Sequence, residues 1–234
     1  MRAGLLVVGH VDEKSRHIAG DYPELFSALL NPAGVEVVPY AVDAGQFPAS
    51  LSECDGWLCS PSRLSVYDDA PWIADVEDVM RTAIADEVPF VGICFGHQLL
   101  AQALGGRVER SAAGWGVGVQ RYDVIERLSV MEPALDSFAV IASHQDQVVE
   151  VPTDARVIAT SAYCPVAGLA AGERMWTVQG HPEFVPPVAD HLLAGRVDLI
   201  GAERVSAARA SLAHPTDREA VAHWIARTFT NLRT

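Results

Sequence analysis

The strongest constraint on the fold is the segment Gly-Ile-Cys-Phe-Gly at residues 92–96, which joins two contrasting patterns. Residues 88–91 form a short apolar run of the kind found in buried strands, and the residues after the segment are apolar at helical spacing up to Gly105. A glycine two residues before Cys94 and another two residues after it allow a very tight strand-to-helix turn that exposes the central side chain. Because the free N–H groups of a helix N-terminus favour thiolate, the segment predicts that Cys94 is an activated nucleophile.

Around this turn, the first half of the chain alternates apolar runs with helical patterns. Strands are predicted at residues 5–8, 35–40, 57–59 and 89–93, and helices at 22–30 and 72–86. Alternation of this kind predicts a parallel sheet that is covered by helices on both faces.

The pattern changes after Gly106, where turn residues separate short apolar segments. Strands are predicted at residues 108, 117–119, 124–125, 138–142, 148–149, 157–159 and 175–178, and helices at 189–193, 203–212 and 218–229. Short strands separated by turns predict a more antiparallel arrangement. Since no linker stands out, we expect residues 1–234 to form one α/β domain, with a central mostly parallel sheet flanked by helices and a smaller antiparallel sheet.

Composition and charge narrow the classes of function. The formal net charge of −13 argues against a nucleic-acid partner, because phosphates require a basic surface. No apolar stretch approaches the ~20 residues of a membrane span, and the N-terminal apolar segment is too short for a signal peptide, so we expect a cytoplasmic protein. The four cysteines show no C-x-x-C spacing and the histidines no metal-binding pair, so neither a disulfide framework nor a metal site is expected.

A cysteine nucleophile needs a base, and the base needs an orienting group. His181 and Glu183 are two residues apart after an apolar run, so on an extended chain both side chains point to the same side. Glu183 would then hold the imidazole towards Cys94. Two alternatives remain at this point: His181-Pro182 is only a turn, or His144 and Asp146 form the base pair instead.

Taken together, these motifs resemble the class I (triad) glutamine amidotransferase family. The resemblance rests on Gly-Ile-Cys-Phe-Gly-His-Gln at residues 92–98 followed by Gly-His-Pro-Glu at 180–183, and residues 62–68, 105–106 and 143–148 also resemble family segments. It implies a stand-alone, glutaminase-type member with a flavodoxin-like fold. It also implies that Cys94 attacks the amide carbon of glutamine to give a thioester, that His181 transfers protons and that Glu183 orients His181.

Further roles are implied by the same resemblance. The backbone N–H of Phe95 and that of Ser62 would form the oxyanion hole, and Gln98, His144 and Gln145 would contact the substrate. The loop containing Ser62 reads Pro-Ser where family members usually carry glycine, so this chain departs from the pattern there. A flipped peptide in this loop would lower basal activity and leave room for activation by a partner.

The activity implied is hydrolysis of L-glutamine to glutamate and ammonia, with no cofactor and no metal. The chain has no phosphate-binding loop of the G-x-x-x-x-G-K type, so a synthetase or other acceptor-domain protein would receive the ammonia on another chain. One alternative is a γ-glutamyl peptidase that uses the same three residues on a γ-glutamyl compound. A second alternative, favoured by the Pro-Ser departure, is a catalytically quiet binding or regulatory protein.

Overall fold

A computed structural model describes residues 1–230 of the chain. The strands are β1 (Arg2–Val7), β2 (Glu36–Ala41), β3 (Gly56–Cys59), β4 (Phe90–Ile93), β5 (Arg107–Arg110), β6 (Gly116–Val124), β7 (Ser137–His144), β8 (Asp146–Glu150), β9 (Ala155–Thr160), β10 (Gly168–Ala171) and β11 (Met175–Val178). The helices are α1 (Glu13–Ala19), α2 (Tyr22–Leu30), α3 (Pro71–Ala85), α4 (Phe95–Ala103), α5 (Pro186–Ala194), α6 (Val197–Ile200), α7 (Ala202–Ser211) and α8 (Arg218–Thr230).

The described residues form one large sheet of nine strands, in the order β2-β1-β3-β4-β11-β10-β9-β6-β7, and a separate pair, β5 and β8. The strands from β2 to β11 in this order run parallel to their neighbours, and those from β11 to β7 pair antiparallel. The predicted α/β fold, with a parallel sheet flanked by helices and a smaller antiparallel sheet, is confirmed. The smaller sheet is limited to β5 and β8, because the other late strands extend the main sheet.

Apolar side chains pack on both faces of the large sheet. In β1, Leu5 and Val7 belong to one cluster and Leu6 to the other, as the alternation of side chains along a strand requires. The first cluster is covered by α2, α5, α7 and α8, and the second by α3 and α4. The carboxyl ends of the central strands are thereby left free to carry a site.

Local sequence explains why some elements match the prediction closely. The helix predicted at 22–30 is α2, which begins at an Asp21–Glu24 capping box and is followed by Asn31. The two strands predicted at 117–119 and 124–125 are a single strand, β6. Neither α1 nor β10 was predicted. The sequence of β10, Gly-Leu-Ala-Ala, lacks the β-branched and aromatic residues that mark strands, so its neighbours in the sheet determine its conformation.

Within residues 1–230, no helix is both long enough and apolar enough to cross a membrane.

Candidate active site

Cys94 lies at the turn between β4 and α4, where the sequence placed it. Its backbone φ is +51° and its ψ is −94°, a conformation that L-residues rarely adopt. A Cβ atom at Gly92 would lie 2.6 Å from the carbonyl oxygen of Gly96, and one at Gly96 would lie 2.9 Å from Cβ of Cys59. The two glycines are therefore sterically required, and the tight turn predicted from them is confirmed.

Parallel pairing brings His181 to the same edge of the sheet as Cys94. β11 lies next to β4, with Val178 opposite Ile93, and the Cys94 N–H donates to the carbonyl of Val178 at 2.9 Å. Three residues beyond β11, the His181 N–H donates to the carbonyl of Ile141 at 2.7 Å. This backbone bond fixes the chain that carries the imidazole beside the carboxyl end of β4.

The imidazole of His181 is held by Glu183, as the two-residue spacing predicted. Nδ1 of His181 lies 2.7 Å from Oε1 of Glu183, and both side chains are buried. The ring also stacks on Phe184, with the centroids 4.3 Å apart and the planes inclined by 7°. Nε2 is buried and makes no hydrogen bond within residues 1–230, which leaves it available to a bound molecule or to the Cys94 sulfur.

Charge at this pair favours a protonated imidazole. Burial by itself lowers the pKa of His181, but the Glu183 carboxylate and, secondarily, the Cys94 sulfur raise it to about 10. An imidazolium beside Cys94 and the N-terminus of α4 both stabilise a thiolate. The arrangement is therefore suited to an ion pair between a thiolate and an imidazolium, the reactive form of a cysteine nucleophile.

A buried glutamine, Gln179, also reaches the nucleophile, and its role was not predicted. Nε2 of Gln179 lies 3.5 Å from the Cys94 sulfur. Nε2 of Gln98 donates to Oε1 of Gln179 at 3.1 Å and to the carbonyl of Asp146 at 2.8 Å. Because the Asp146 carbonyl can only accept, the NH₂ group of Gln98 must point to it and to Oε1 of Gln179. The amide of Gln179 is thereby oriented with its NH₂ group towards the Cys94 sulfur. Gln179 directly precedes the Gly-His-Pro-Glu motif at residues 180–183 and stands two residues before His181.

Two positions are consistent with an oxyanion hole. Phe95 is the first residue of α4, so its N–H has no intrahelical acceptor and lies beside the nucleophile. Ser62 lies in the loop after β3 and lines the same cavity as Cys94 and Phe95. A Cβ atom at Gly9 would lie 2.8 Å from Oγ of Ser62, so this loop is packed tightly against the end of β1. The structure thus brings both predicted residues to the nucleophile.

The Cys94 sulfur opens into a cavity of about 250 Å³. Its walls include the predicted residues Ser62, Phe95, Gln98, His144, Gln145 and His181. They also include residues that sequence analysis did not select: Tyr22, Arg63, Arg110, Trp115 and Arg196. These come from five separate segments, and no local pattern marks them as neighbours.

The alternative base pair, His144 with Asp146, is not formed. Nδ1 of His144 lies 3.1 Å from the backbone carbonyl of Asp146, while the Asp146 carboxylate accepts a hydrogen bond from Ser65. Burial lowers the pKa of His144 to about 4, so this imidazole is neutral at neutral pH. His144 remains in the cavity wall, where a neutral ring can contact a substrate.

His97, the other histidine near the nucleophile, has a structural role. Its Nδ1 bonds Oγ1 of Thr177 at 2.8 Å and its Nε2 bonds the carbonyl of Val166 at 3.0 Å. Burial lowers its pKa to about 3, so it is a neutral core residue. Within residues 1–230, no group of three or more His, Cys, Asp or Glu side chains is arranged to hold a metal ion.

The chain is similar in sequence to several known proteins. The sequence model of the family described as glutamine amidotransferase class-I matches residues 26–196. The chain is 32% identical over 175 residues to γ-glutamyl peptidase 3 of Arabidopsis thaliana, covering 70% of each protein. It is 36% identical over 176 residues to one of the subunits of the glutamine-hydrolyzing GMP synthase of Methanopyrus kandleri, covering 70% of this chain and 85% of that protein.

Comparison with solved structures supports the fold. A glutamine amidotransferase from Thermotoga maritima superimposes with a TM-score of 0.75 at 17% identity, covering 97% of this chain and 96% of that one. A glutamine amidotransferase from Methylobacillus flagellatus gives a TM-score of 0.68 at 21% identity, covering 98% and 92%. Identities this low show a shared architecture.

Proposed function

The chain belongs to the class I glutamine amidotransferase family, and from this premise we propose that it hydrolyses the side-chain amide of L-glutamine to glutamate and ammonia. The members of this family are hydrolases and amidotransferases, and this supports the interpretation that the chain is an enzyme. The observation that carries the proposal is Cys94, held in a strained strand-to-helix turn beside a buried His181–Glu183 pair.

In the first half-reaction, the Cys94 thiolate attacks the amide carbon of glutamine and a tetrahedral oxyanion forms. Imidazolium at His181 donates its Nε2 proton to the departing nitrogen, so ammonia leaves and a thioester remains. Glu183 stabilises the imidazolium and keeps Nε2 directed at the reacting atoms.

In the second half-reaction, neutral His181 removes a proton from water, and the hydroxide attacks the thioester carbon. Collapse of the second oxyanion releases glutamate and regenerates both the Cys94 thiolate and the imidazolium. The N–H groups of Phe95 and Ser62 would stabilise both oxyanions. Loss of one such donor typically costs ~3 kcal/mol of transition-state stabilisation.

Ammonia needs an acceptor in an amidotransferase reaction. We place this acceptor on another chain, a synthetase or similar protein, and the relative from Methanopyrus kandleri, which is named as one subunit of its enzyme, supports that arrangement. L-Glutamine is the small-molecule substrate in this proposal.

A second candidate function, cleavage of γ-glutamyl peptides, uses the same steps with an amine as leaving group. The observation that favours it is the cavity beyond Cys94, whose walls carry three arginines. Glutamine, which releases only ammonia, would not need so many cations around its leaving group. Similarity to a γ-glutamyl peptidase of Arabidopsis thaliana supports it as well.

The test compares ammonia release from L-glutamine with amine release from γ-glutamyl dipeptides. Cys94→Ala should abolish both, whereas Cys54→Ala, the same change at a free cysteine remote from the cavity, should leave both intact. A larger kcat/KM for glutamine supports the amidotransferase, and a larger one for a dipeptide supports the peptidase. If neither substrate reacts and a diazoketone analogue of glutamine leaves Cys94 unlabelled, the quiet binding role replaces both. Hydrolysis that survives in Cys94→Ala would contradict the assigned nucleophile.

A further inference from the structure

Two cations in the wall of the catalytic cavity, Arg110 and Arg196, have no acidic partner within residues 1–230, and of these Arg110 is exposed whereas Arg196 is half-buried. Arg196 follows α5, and none of the ion pairs within residues 1–230 includes it. Its Nη1 donates to Oγ of Ser143 at 3.0 Å, and its guanidinium carbon lies 5.8 Å from the centre of the Trp115 ring. A hydroxyl and an aromatic face therefore hold the guanidinium in place without neutralising it.

The other charges around the cavity do not neutralise Arg196 either. The carboxylate whose charge acts on Arg196 is that of Asp12, and this carboxylate already pairs with Arg63 at 3.6 Å. Asp146 accepts the hydroxyl of Ser65. Arg63 and Arg110 line the same cavity, so its walls carry excess positive charge in a chain whose net charge is −13.

Burying an unpaired guanidinium costs free energy, and a bound anion would offset that cost. Arg196 is half-buried, and burial lowers its pKa, although an arginine remains charged at neutral pH. Its planar fork matches the two oxygens of a carboxylate, and charge-assisted bonds of this kind are among the strongest in proteins. Every γ-glutamyl compound carries an α-carboxylate, and a γ-glutamyl peptide carries a second carboxylate at its C-terminus.

We infer that Arg196 is the substrate-carboxylate receptor of this cavity, held ready by Ser143 and Trp115 beside Cys94. The inference rests on the proposed function, because the ligand is the substrate of the same nucleophile. The carboxylate is either the α-carboxylate of the γ-glutamyl group or the C-terminal carboxylate of a leaving group. Either one would accept hydrogen bonds from the guanidinium in the same way.

The experiment pairs each carboxylate with its uncharged amide. The substrates are L-glutamine and its α-amide, and γ-L-glutamylglycine and γ-L-glutamylglycinamide. The variants are Arg196→Met, which keeps the length of the side chain, and Arg196→Lys, which keeps the charge without the fork. Arg127→Met is the matched control, because it removes an equal charge at an exposed residue paired with Asp136. Circular dichroism and Tm establish that each variant is folded.

In the wild type, kcat/KM should be about 10- to 100-fold higher for the substrate that carries the recognised carboxylate than for its amide, the range expected of a charge-assisted hydrogen bond. Arg196→Met should remove that difference and Arg196→Lys should restore part of it. A difference confined to the glutamine pair identifies the α-carboxylate, and one confined to the dipeptide pair identifies the leaving-group carboxylate. An equal loss for charged and uncharged substrates would overturn the inference while leaving the proposed function in place.

Binding of L-glutamate and of γ-L-glutamylglycine to Cys94→Ala, measured by calorimetry, decides the inference even if no substrate is hydrolysed. Absence of hydrolysis in the wild type would contradict the proposed function alone. Glutamate affinity that falls about 10- to 100-fold when Arg196→Met is added supports the carboxylate receptor. A fall in the affinity for γ-L-glutamylglycine alone assigns the leaving-group carboxylate. Unchanged affinity for both ligands, or no binding of either ligand, would overturn the inference.

Discussion

Cys94 combines a reactive side chain with an unfavourable backbone. Its φ of +51° costs an L-residue of order 1–3 kcal/mol, whereas glycine adopts positive φ readily. Cys94→Gly should therefore raise the free energy of unfolding above that of Cys94→Ala by ~1 kcal/mol, since alanine keeps the strain. Both variants should be inactive. Urea denaturation of the two proteins measures the difference, and an alanine variant at least as stable as the glycine variant would show that the turn stores no strain.

Gln179 is the second residue whose contribution can be isolated. Its NH₂ group lies 3.5 Å from the Cys94 sulfur, and a hydrogen bond to a charged group is worth ~1.5–3 kcal/mol. Gln179→Leu should slow alkylation of Cys94 by iodoacetamide about 10-fold or more at neutral pH and shift the rate profile to higher pH. Cys94→Ala supplies the background rate from the other thiols.

A purely structural role for Gln179 predicts a different result. The variant would then lose stability, with the pH profile of alkylation unchanged. Gln120→Leu provides a matched control, because Gln120 bonds the carbonyl of Val117 on β6 and makes no contact with the nucleophile.

At the scale of elements, the turn between β4 and α4 depends on close backbone approach. Gly92→Ala would place Cβ 2.6 Å from the Gly96 carbonyl, where only backbone can give way. Overpacking of this kind costs ~1–3 kcal/mol, and displacement of the turn should also lower kcat. Gly195→Ala is the matched control, because its φ is −77° and its nearest neighbour would lie 3.7 Å away. Equal stability of the two variants in thermal unfolding would contradict the steric account.

The same turn shows what sequence can predict. Two glycines flanking Cys94, an apolar run and a helical pattern specify this element locally, and the spacing of His181 and Glu183 specifies their common side. Long-range features carried no such signal: β10 is a strand because β9 and β11 flank it, and Arg196 reaches the cavity from a segment about a hundred residues away from Cys94. Periodicity also predicted the late strands without showing that most of them extend the main sheet.

At the scale of the whole molecule, the large sheet connects the apolar clusters on its two faces to the candidate active site. α8 packs in the first apolar cluster through Trp224 and Phe229. The indole N–H of Trp176 in β11 donates to the hydroxyl of Thr228 in α8 at 2.7 Å. β11 in turn lies beside β4, the strand that leads to Cys94. We therefore propose that residues 1–230 form a single domain, in which α8 supports the strand that leads to His181. The last four residues of the predicted domain, 231–234, lie outside the described residues.

In Cys94→Ala, buried histidines should give the free energy of unfolding a maximum near pH 6.5. The folded-state pKa of His97 is about 3 and that of His144 about 4, below the ordinary value of 6.5, so the unfolded chain binds more protons in acid and stability falls as pH decreases below 6.5. The pKa of His181 is raised to about 10, so the folded chain holds a proton that the unfolded chain loses. In the wild type, a Cys94 thiolate lacks the proton that the unfolded thiol keeps up to about pH 8.5, so the two groups offset each other until then. In Cys94→Ala only His181 remains, and stability should also fall as pH rises above 6.5, with a slope of up to ~1.4 kcal/mol per pH unit from this group.

Single variants separate the two limbs of this profile. His181→Gln should flatten the alkaline limb and leave the acid limb in place, whereas His97→Gln should reduce only the acid limb. Each substitution is added to Cys94→Ala, and the measurement is urea denaturation between pH 4.5 and 9.5, read as slopes so that a uniform loss of stability in either variant does not matter. An alkaline limb that is unchanged in His181→Gln would mean that His181 is neutral in the folded protein. The nucleophile would then need a base to remove its proton, and the reaction would begin from a thiol instead of a thiolate–imidazolium pair.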